Sequence, residues 1–443
     1  MFSLIDLFCF VGALVFPILP KLTNEKIEFF DIILLFYLYI DISSYFVSQY
    51  VNYIYLMNTI VLIYSLKYLF IDNPRYFGYF KSIKNAAFMF LGAFLILPVL
   101  QGANIDKSTR FFSVTYVSII LLPIALHYYA TRGDIHKLLR SGYYFILIWC
   151  LFVLYATYFK LGDEVSERVG GTIFHFGKIA VRGGITYIAF ALMLVPLIWK
   201  VLKKREKIIM LCCVALIFAT FFSALKRAVF FIVALAVINY LFNSKMGIKT
   251  KLSVTFVVFI LLVLVPSGFS GEQKTMFVER YEARGAENKF SYEAVEGDPR
   301  FDEPLLVWNH MVKQGADKLL IGIEGAPEIS LGPVARREMT FRAIHNEYGM
   351  LLYKFGIIGL FLYVILFYSF YRRAAKLKKI LFNSGINVIE YWIVFQNLII
   401  IFLIEAIAGG HSHPTFRGLV LLYSGAIAGH LFKLVKNRPG QNA

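Results

Sequence analysis

The feature that most constrains this chain is a series of apolar segments, each about 20 residues long and separated by polar links. A helix that crosses the hydrocarbon core of a bilayer needs about 20 mostly apolar residues. Hydrophobic residues make up 59% of the 443 positions and charged residues only 16%, which is too apolar for a soluble globule. We therefore predict an all-α integral membrane protein, with residues 1–443 forming a single polytopic domain.

About 13 segments qualify as transmembrane helices. They are residues 2–20, 27–48, 51–71, 83–101, 112–130, 141–160, 180–200, 208–225, 227–242, 250–267, 347–371, 388–408 and 417–433. The pair at 208–242 is alternatively a re-entrant hairpin, because each half is short. The first segment lacks a basic region and a small-residue cleavage site, so we expect a retained helix rather than a signal peptide.

The distribution of charge predicts which face of the membrane each link occupies. The formal charge is +17, but residues 268–344 carry about 10 Lys/Arg against about 13 Asp/Glu. The excess of basic residues lies in links that follow every second apolar segment, the pattern that sets membrane topology. It predicts an external N-terminus, a cytoplasmic C-terminus and a large outer loop at 268–346. This clustering does not favour binding to nucleic acid.

Within the large loop, one stretch has apolar residues at helical spacing. Residues 304–322 read PLLVWNHMVKQGADKLLIG, and the apolar positions are Leu305, Leu306, Trp308, Met311, Val312 and Leu319. This spacing predicts an amphipathic helix that lies on the membrane surface or caps the transmembrane bundle.

A first group of candidate functional residues stands where the large loop meets the next apolar segment. Arg342, His345 and Asn346 lie there, and on a helix positions 342 and 345/346 share one face. A histidine at a membrane boundary beside a cation could act as a base or orient a phosphate. The alternative is a solvated histidine beside an arginine that extends to the interface.

A second group is the adjacent pair Lys226–Arg227, between two apolar segments on the expected outer side. The topology rule disfavours cations there, so the pair calls for an anionic partner, and arginine fits a phosphate in a bidentate manner. The alternative is that the two cations only mark the end of a helix.

Two further groups give weaker signals. A glycine-rich outer segment could hold an anionic head group or be an ordinary loop, and a segment near the C-terminus contains His-x-His but lacks the further ligands of a metal site. Glu405 is a functional candidate because it lies within a span, or it pairs with a basic neighbour. The members of the two groups are Arg168, His175, Lys178 and Arg182, and Glu405, His411, His413 and Arg417.

The sequence lacks the motifs that bind common cofactors. The sequence has no Walker loop, no dinucleotide fingerprint and no zinc-protease motif. We therefore expect no metal and no cofactor, and a reaction on the outer face would need a donor that its own leaving group activates.

Three motifs resemble those of the O-antigen polymerase and O-antigen ligase superfamily. IHNEYGMLLYKFGIIGLFLYVIL is similar to the family's His-Asn motif followed by Gly-x-x-Gly-Leu, here Gly356, Gly359 and Leu360. LLIGIEGAPEI resembles the glycine-containing turn before it, with Trp308 upstream. FSALKRAVFFIVAL is similar to the Ser-x-x-Arg segment at an outer helix start. The resemblance covers about residues 180–410.

The resemblance implies a glycosyltransferase of the bacterial inner membrane. Its donor would be an oligosaccharide linked to undecaprenyl diphosphate, and the large loop and the active face would be periplasmic. The implied catalytic residues are His345 and Arg227. Four arginines, Arg300, Arg336, Arg337 and Arg342, compete for a further role in the loop. We also expect Asn346, Lys226, Arg182 and Arg417 to bind substrate.

The resemblance leaves the acceptor open. A polymerase would pass the glycan to the next lipid-linked repeat unit of a surface polysaccharide, together with a chain-length regulator and a flippase as partners. A ligase would pass it to lipid A core. A flippase or other transporter of lipid-linked oligosaccharide is the alternative from another class, although the notable charges here gather at the outer ends of helices rather than at the midplane.

Overall fold

The computed structural model describes a little over half of the 443-residue chain. The described residues are 30, 33–34, 37, 62–63, 81–101, 116–158, 184–224, 227–243, 247, 251–252, 299–323, 328–330, 341–344, 346–408 and 414–437.

The described residues are almost entirely helical. A 3-10 helix, Val117–Ile120, precedes the second α-helix. The α-helices are α1 (Lys81–Leu100), α2 (Leu121–Thr131), α3 (Ile135–Tyr158), α4 (Gly184–Val201), α5 (Lys204–Ala224), α6 (Arg227–Asn243), α7 (Pro299–Gln314), α8 (Ala316–Ile321), α9 (Glu347–Asn383), α10 (Ile389–Ala408) and α11 (Pro414–Lys436).

Five stretches of helix are long and apolar enough to cross a membrane, and they confirm the class of a multi-pass membrane protein. They are Lys81–Leu100, Ile135–Leu154, Glu347–Asn383, Ile389–Ile407 and Phe416–Lys436, and each overlaps a predicted span. The predicted spans 112–130, 180–200 and 227–242 overlap the shorter apolar helices Val117–Thr131, Phe190–Val201 and Val233–Asn243. The predicted span 2–20 and most of 27–48, 51–71 and 250–267 lie outside the described residues.

Helix α9 is much longer than the predicted span 347–371, and it is kinked at Gly356, whose backbone angles (φ 61°, ψ −167°) are not helical. It continues to Asn383 and so includes the basic run from Arg372 to Lys379, which the sequence had placed in a link. Arginine, lysine and alanine have high helix propensity, so the helix extends beyond its apolar part by 12 residues, or about 18 Å at 1.5 Å per residue.

Contacts between residues divide the chain into two units. The first comprises Met1–Tyr50, Asp134–Lys289 and Ile389–Ile401, and the second comprises Val51–Gly133, Phe290–Val388 and Phe402–Ala443. Polar side chains join helices within the first unit. Asn239 of α6 donates to Asn397 of α10 at 2.7 Å, and Arg140 of α3 pairs with Glu206 of α5 at 3.1 Å. Such hydrogen bonds are a common means of association between membrane helices.

In the second unit, α11 packs against α2 with little space between the backbones. A side chain at Gly425 would meet the carbonyl oxygen of Leu122 at 2.6 Å, and one at Gly429 would meet the carbonyl oxygen of Leu126. The two glycines are four residues apart, which places them on one face of α11 and gives the small-xxx-small pattern of close membrane helices.

The amphipathic helix predicted in the large loop is present as α7, but its faces differ from the expectation. Val307 and Met311 are fully buried, whereas Leu305, Trp308 and Val312 are 61%, 43% and 50% exposed. The residues that contact the bundle therefore form a narrower stripe than the apolar positions of the sequence.

A short antiparallel pair of strands, which the all-α prediction did not include, precedes α9. Strand β1 is Glu328–Ser330 and strand β2 is Phe341–Ala343, with Ile329 opposite Arg342. The expectation that Arg342 shares a helical face with His345 and Asn346 is wrong, because Arg342 lies in β2 and α9 begins only at Glu347.

Candidate functional site

The start of α9 is fixed by the asparagine of the His-Asn motif. Asn346 has extended backbone angles (φ −74°, ψ 124°), and its side-chain oxygen accepts from the backbone N–H groups of Tyr348 and Gly349 at 3.0 and 3.1 Å. This is the geometry of a helix N-cap, which satisfies donors that have no partner inside the helix. An anion at this helix start would therefore have to use N–H groups other than these two.

The next residue, Glu347, accepts three hydrogen bonds on one oxygen. Its Oε1 atom lies 2.8 Å from Nη2 of Arg417, 3.0 Å from the hydroxyl of Tyr116 and 3.3 Å from the hydroxyl of Tyr363. We call these four residues the Glu347 cluster. The donors come from α11, from the residue before the 3-10 helix and from α9 itself, so the cluster joins three separate parts of the second unit.

The Glu347 cluster is buried and walled by aromatic rings. The side chains of Glu347 and Arg417 are only 3% and 2% exposed. The Arg417 guanidinium lies 4.1 Å from the centroid of the Tyr116 ring, within the range of a cation–π interaction. Phe90 of α1 packs on the rings of both Tyr116 and Tyr363, with centroids at 5.8 and 5.5 Å.

This environment determines what Glu347 can do. Burial of a carboxylate and a guanidinium costs several kcal/mol per ion, and only good geometry with further hydrogen bonds offsets that cost. The two tyrosine hydroxyls supply those bonds. Glu347 thus has the features of an anchor that fixes the position of the α9 start. A phosphate that reached Arg417 would have to replace Glu347 as its partner.

A second resemblance motif, LLIGIEGAPEI, lies against the part of the His-Asn motif that contains Gly356. Gly322 has φ +91° and a side chain there would collide with the carbonyl of Lys354, while Gly356 has φ +61° and a side chain there would collide with the carbonyl of Leu320. Both positive φ values favour glycine. Gln101 closes the contact, since its side-chain nitrogen donates to the carbonyls of Ile321 and Lys354 at 2.6 and 2.9 Å.

Comparison with known protein families agrees with these motifs. A family model for O-antigen ligase matches residues 211–364. The match covers 154 of the 443 residues and supports membership of the O-antigen ligase and polymerase superfamily. The match begins within α5 and ends directly after Tyr363, so it contains both strands, α6 to α8 and the start of α9. No curated protein matches the chain.

The match confirms the resemblance and supports a role in membrane glycan processing. The family's members are glycosyltransferase-like enzymes. Two parts of the Glu347 cluster, Tyr116 and Arg417, lie outside the matched range, so the anchor combines a family segment with helices on either side of it in sequence.

The predicted site residues fall into two groups. Five lie on described backbone: Arg227 is the first residue of α6, Arg300 is the second residue of α7, Arg342 is in β2, Asn346 caps α9, and Arg417 is in α11. Of these, the structure brings Asn346 and Arg417 to the start of α9. His345, Arg336, Arg337, Lys226 and Arg182 lie outside the described residues, as do Arg168, His175, Lys178, His411 and His413. Glu405 is buried in α10.

Sequence reasoning missed Glu347, Tyr116 and Tyr363. The signal for Glu347 was present, because an acidic residue within a membrane span is a functional candidate by default, and Glu347 is the first residue of such a span. The two tyrosines gave no comparable signal, since the chain has 28 tyrosines.

In the part of the chain that the structure describes, no group of three His, Cys, Asp or Glu side chains could hold a metal.

Proposed function

We propose that this protein is the polymerase of a bacterial surface polysaccharide of the O-antigen type. It transfers a glycan from undecaprenyl diphosphate to the next lipid-linked repeat unit on the periplasmic face of the inner membrane. The observation that carries the proposal is the anchored start of α9, where the family's His-Asn motif directly precedes a buried Glu347 whose Oε1 atom accepts three hydrogen bonds. Such an anchor fixes the helix start that directly follows the His-Asn motif in sequence.

The chemistry proposed for this transfer is a displacement at the donor's first sugar carbon. The oxygen of an acceptor hydroxyl forms a bond to that carbon, the bond from the carbon to the diphosphate oxygen breaks, and the electron pair stays on the diphosphate. Charge grows on the leaving group, so fixed cations there lower the barrier. We assign this task to Arg227 and to one loop arginine among Arg300, Arg336, Arg337 and Arg342.

We assign His345 one of two roles: it takes the proton of the acceptor hydroxyl, or it binds the diphosphate. A histidine has an ordinary pKa near neutral pH and so suits a general base, but a protonated imidazole would equally hold an anion. The roles of His345 and Arg227 come from the resemblance of their motifs. No metal or cofactor takes part in the proposed reaction, and a chain-length regulator and a flippase are the proposed partners.

A ligase is the second candidate, because the matching family model is one for O-antigen ligase. It would use the same donor and leaving group, and it would differ only in passing the glycan to lipid A core. The acceptor therefore separates the two candidates, whereas the residues near the leaving diphosphate do not.

A deletion strain separates these functions. Loss of a polymerase leaves single repeat units on the lipid A core, whereas loss of a ligase leaves no glycan on the core and intact polymer on the carrier lipid. We expect the first result. A strain that accumulates long polymer on undecaprenyl diphosphate would show that the protein is a ligase.

Complementation of that strain tests the assigned residues. Arg227→Ala and His345→Ala should each fail to restore long polymer at unchanged membrane abundance, because one positioned acid or base contributes about 10²–10⁴ in rate. Full-length polymer from the His345→Ala strain would remove that residue from the mechanism and leave the family assignment intact.

A further inference from the structure

Helix α7 has a second apolar face that points away from the protein. Leu305, Trp308 and Val312 are 61%, 43% and 50% exposed, whereas Val307 and Met311 are fully buried. Positions 305, 308 and 312 are three and four residues apart and so form one stripe on the helix surface. We call these three residues the outer stripe. A stripe that contains an exposed tryptophan is typical of an interaction surface.

The position of α7 shows which surroundings the outer stripe meets. The buried face of α7 packs on the first turns of α9: Val307 lies 3.5 Å from where a side chain at Gly349 would begin. The ring of His310 stacks on that of Tyr353, with centroids 5.8 Å apart. The stretch Glu347–Asn383 is long and apolar enough to span the membrane and is broken at Gly356 (φ +61°), and we place one boundary of the bilayer near this break, beside the turns that α7 contacts. Helix α7 therefore lies at the level of that boundary.

The exposed apolar surface of α9 continues towards α7. On α9, Ile358, Phe361 and Val364 are 39%, 60% and 51% exposed and occupy one face at helical spacing, as expected for the lipid-facing side of a spanning helix. The backbone at Leu320 of α8 touches Gly356, two residues before Ile358, and Leu320 is itself 49% exposed. Helix α8 thus links the apolar surface of α9 with α7.

We propose that the outer stripe of α7 binds the interfacial layer of the bilayer, so that this part of the large loop rests on the membrane. Tryptophan concentrates at the level of the lipid head groups, because its ring is apolar and its N–H is polar. Asn309, at the edge of the outer stripe, and Lys313 beside it are exposed and would point to head groups and water. The occupant is lipid, since the stripe lies beside surface that already faces lipid. The inference does not depend on which glycan acceptor the enzyme uses.

Quenching of tryptophan fluorescence tests this docking. The intact protein is reconstituted into vesicles with ordinary lipids or with lipids brominated on acyl-chain carbons close to the head group. The Trp308→Phe variant is measured in the same way, and the difference isolates Trp308 from Trp149, Trp199 and Trp392. We expect the Trp308 signal to lose most of its intensity to brominated lipid and to be shielded from aqueous iodide.

Two matched variants sharpen the result. Val312→Lys places a charge in the outer stripe and should weaken quenching of Trp308 by brominated lipid, whereas Gln314→Lys places the same charge at an exposed position on the other side of the helix and should leave it unchanged. Quenching by iodide with no effect of brominated lipid would overturn the proposal. Shielding from both quenchers would also overturn it, because a protein, such as a second copy of the chain, would then cover the stripe.

Discussion

Glu347 is a buried acid whose charge is matched by a buried base. Two tyrosine hydroxyls also bind this carboxylate. Arg417, Tyr116 and Tyr363 all donate to the same atom, Oε1 of Glu347. A buried ion pair contributes little net stability compared with apolar residues of the same shape, but removal of one partner is costly. We therefore interpret the Glu347 cluster as a set of contacts that fixes the position of the start of α9.

The first prediction concerns the charge of Glu347. The substitution Glu347→Gln keeps the shape of the side chain but leaves the Arg417 guanidinium buried without a counter-charge. The expected loss in the free energy of unfolding is about 3–5 kcal/mol, measured by thermal or denaturant unfolding in detergent. The double variant Glu347→Leu with Arg417→Met removes both charges and should recover part of that loss.

An exposed ion pair provides the matched control. Lys200 and Glu390 form a salt bridge whose side chains are 49% and 34% exposed. Glu390→Gln should cost no more than about 1 kcal/mol, because exposed ion pairs are worth about 0–1 kcal/mol. Equal costs at Glu347 and Glu390 would contradict the anchoring role of the Glu347 cluster.

The second prediction concerns the cap of α9. Asn346→Ala removes the acceptor for the N–H groups of Tyr348 and Gly349 and should cost about 1 kcal/mol of stability. Asn346→Ser keeps an acceptor at the cap and should cost much less. If the serine variant is stable but inactive in polymer assembly, Asn346 acts on substrate as well as on the helix; if both are active, the cap is its whole role.

For single residues, the sequence predicted some members of the site but not the side chains that they contact. Arg417 and Asn346 were candidates because a charged or polar group at the end of a membrane span costs free energy unless it has a partner or a function. Their contacts depend on residues 116, 347, 363 and 417 being brought together by helix packing, and a pattern within one segment holds no information about distances between segments.

At the scale of elements, α8 and α9 meet through two glycines, and a third prediction follows. Gly356→Ala places a side chain at φ +61° and against the carbonyl of Leu320. Strain of this kind costs about 1–3 kcal/mol, and we expect a lower unfolding temperature with reduced polymer. The control is Gly92→Ala on α1, where nothing lies within 4 Å and alanine should be neutral or stabilising by up to about 1 kcal/mol.

A fourth prediction tests the packing of α2 on α11. Gly429→Leu forces a large side chain against the backbone of α2 near Leu126 and should lower membrane abundance or unfolding temperature, since overpacking costs about 1–3 kcal/mol. Arg417 lies on the same helix, three turns earlier at 3.6 residues per turn, so polymer assembly should fall as well. Wild-type stability in this variant would show that α2 and α11 are not closely packed.

The sequence predicted the ends of helices correctly where hydropathy changes sharply. It did not do so where helix propensity or packing set the boundary. The apolar period predicted the helix at 227–242 and the spans at 388–408 and 417–433 within a few residues. It could not place the end of α9, because the basic run up to Lys379 is polar yet strongly helix-forming. Nor could it show which apolar stripe of α7 faces the protein, since both stripes have helical spacing.

At the scale of the whole molecule, composition and motif order led to the correct class. A chain with 59% hydrophobic residues has to place most of them in lipid or in helix contacts, and the described part of the chain has five helices that could span a membrane. The acceptor of the glycan is a different matter, because it depends on which molecule reaches the site and not on the residues that stabilise the leaving diphosphate.

The most direct test of the central claim is a reaction with purified components. The protein is reconstituted into liposomes with undecaprenyl-diphosphate-linked repeat units alone, and the lipid-linked products are separated by size. We predict glycans of two and more repeat units on the carrier, with release of undecaprenyl diphosphate, and no such products with His345→Ala. Repeat units that stay single until lipid A core is added, and then move to the core, would contradict the account.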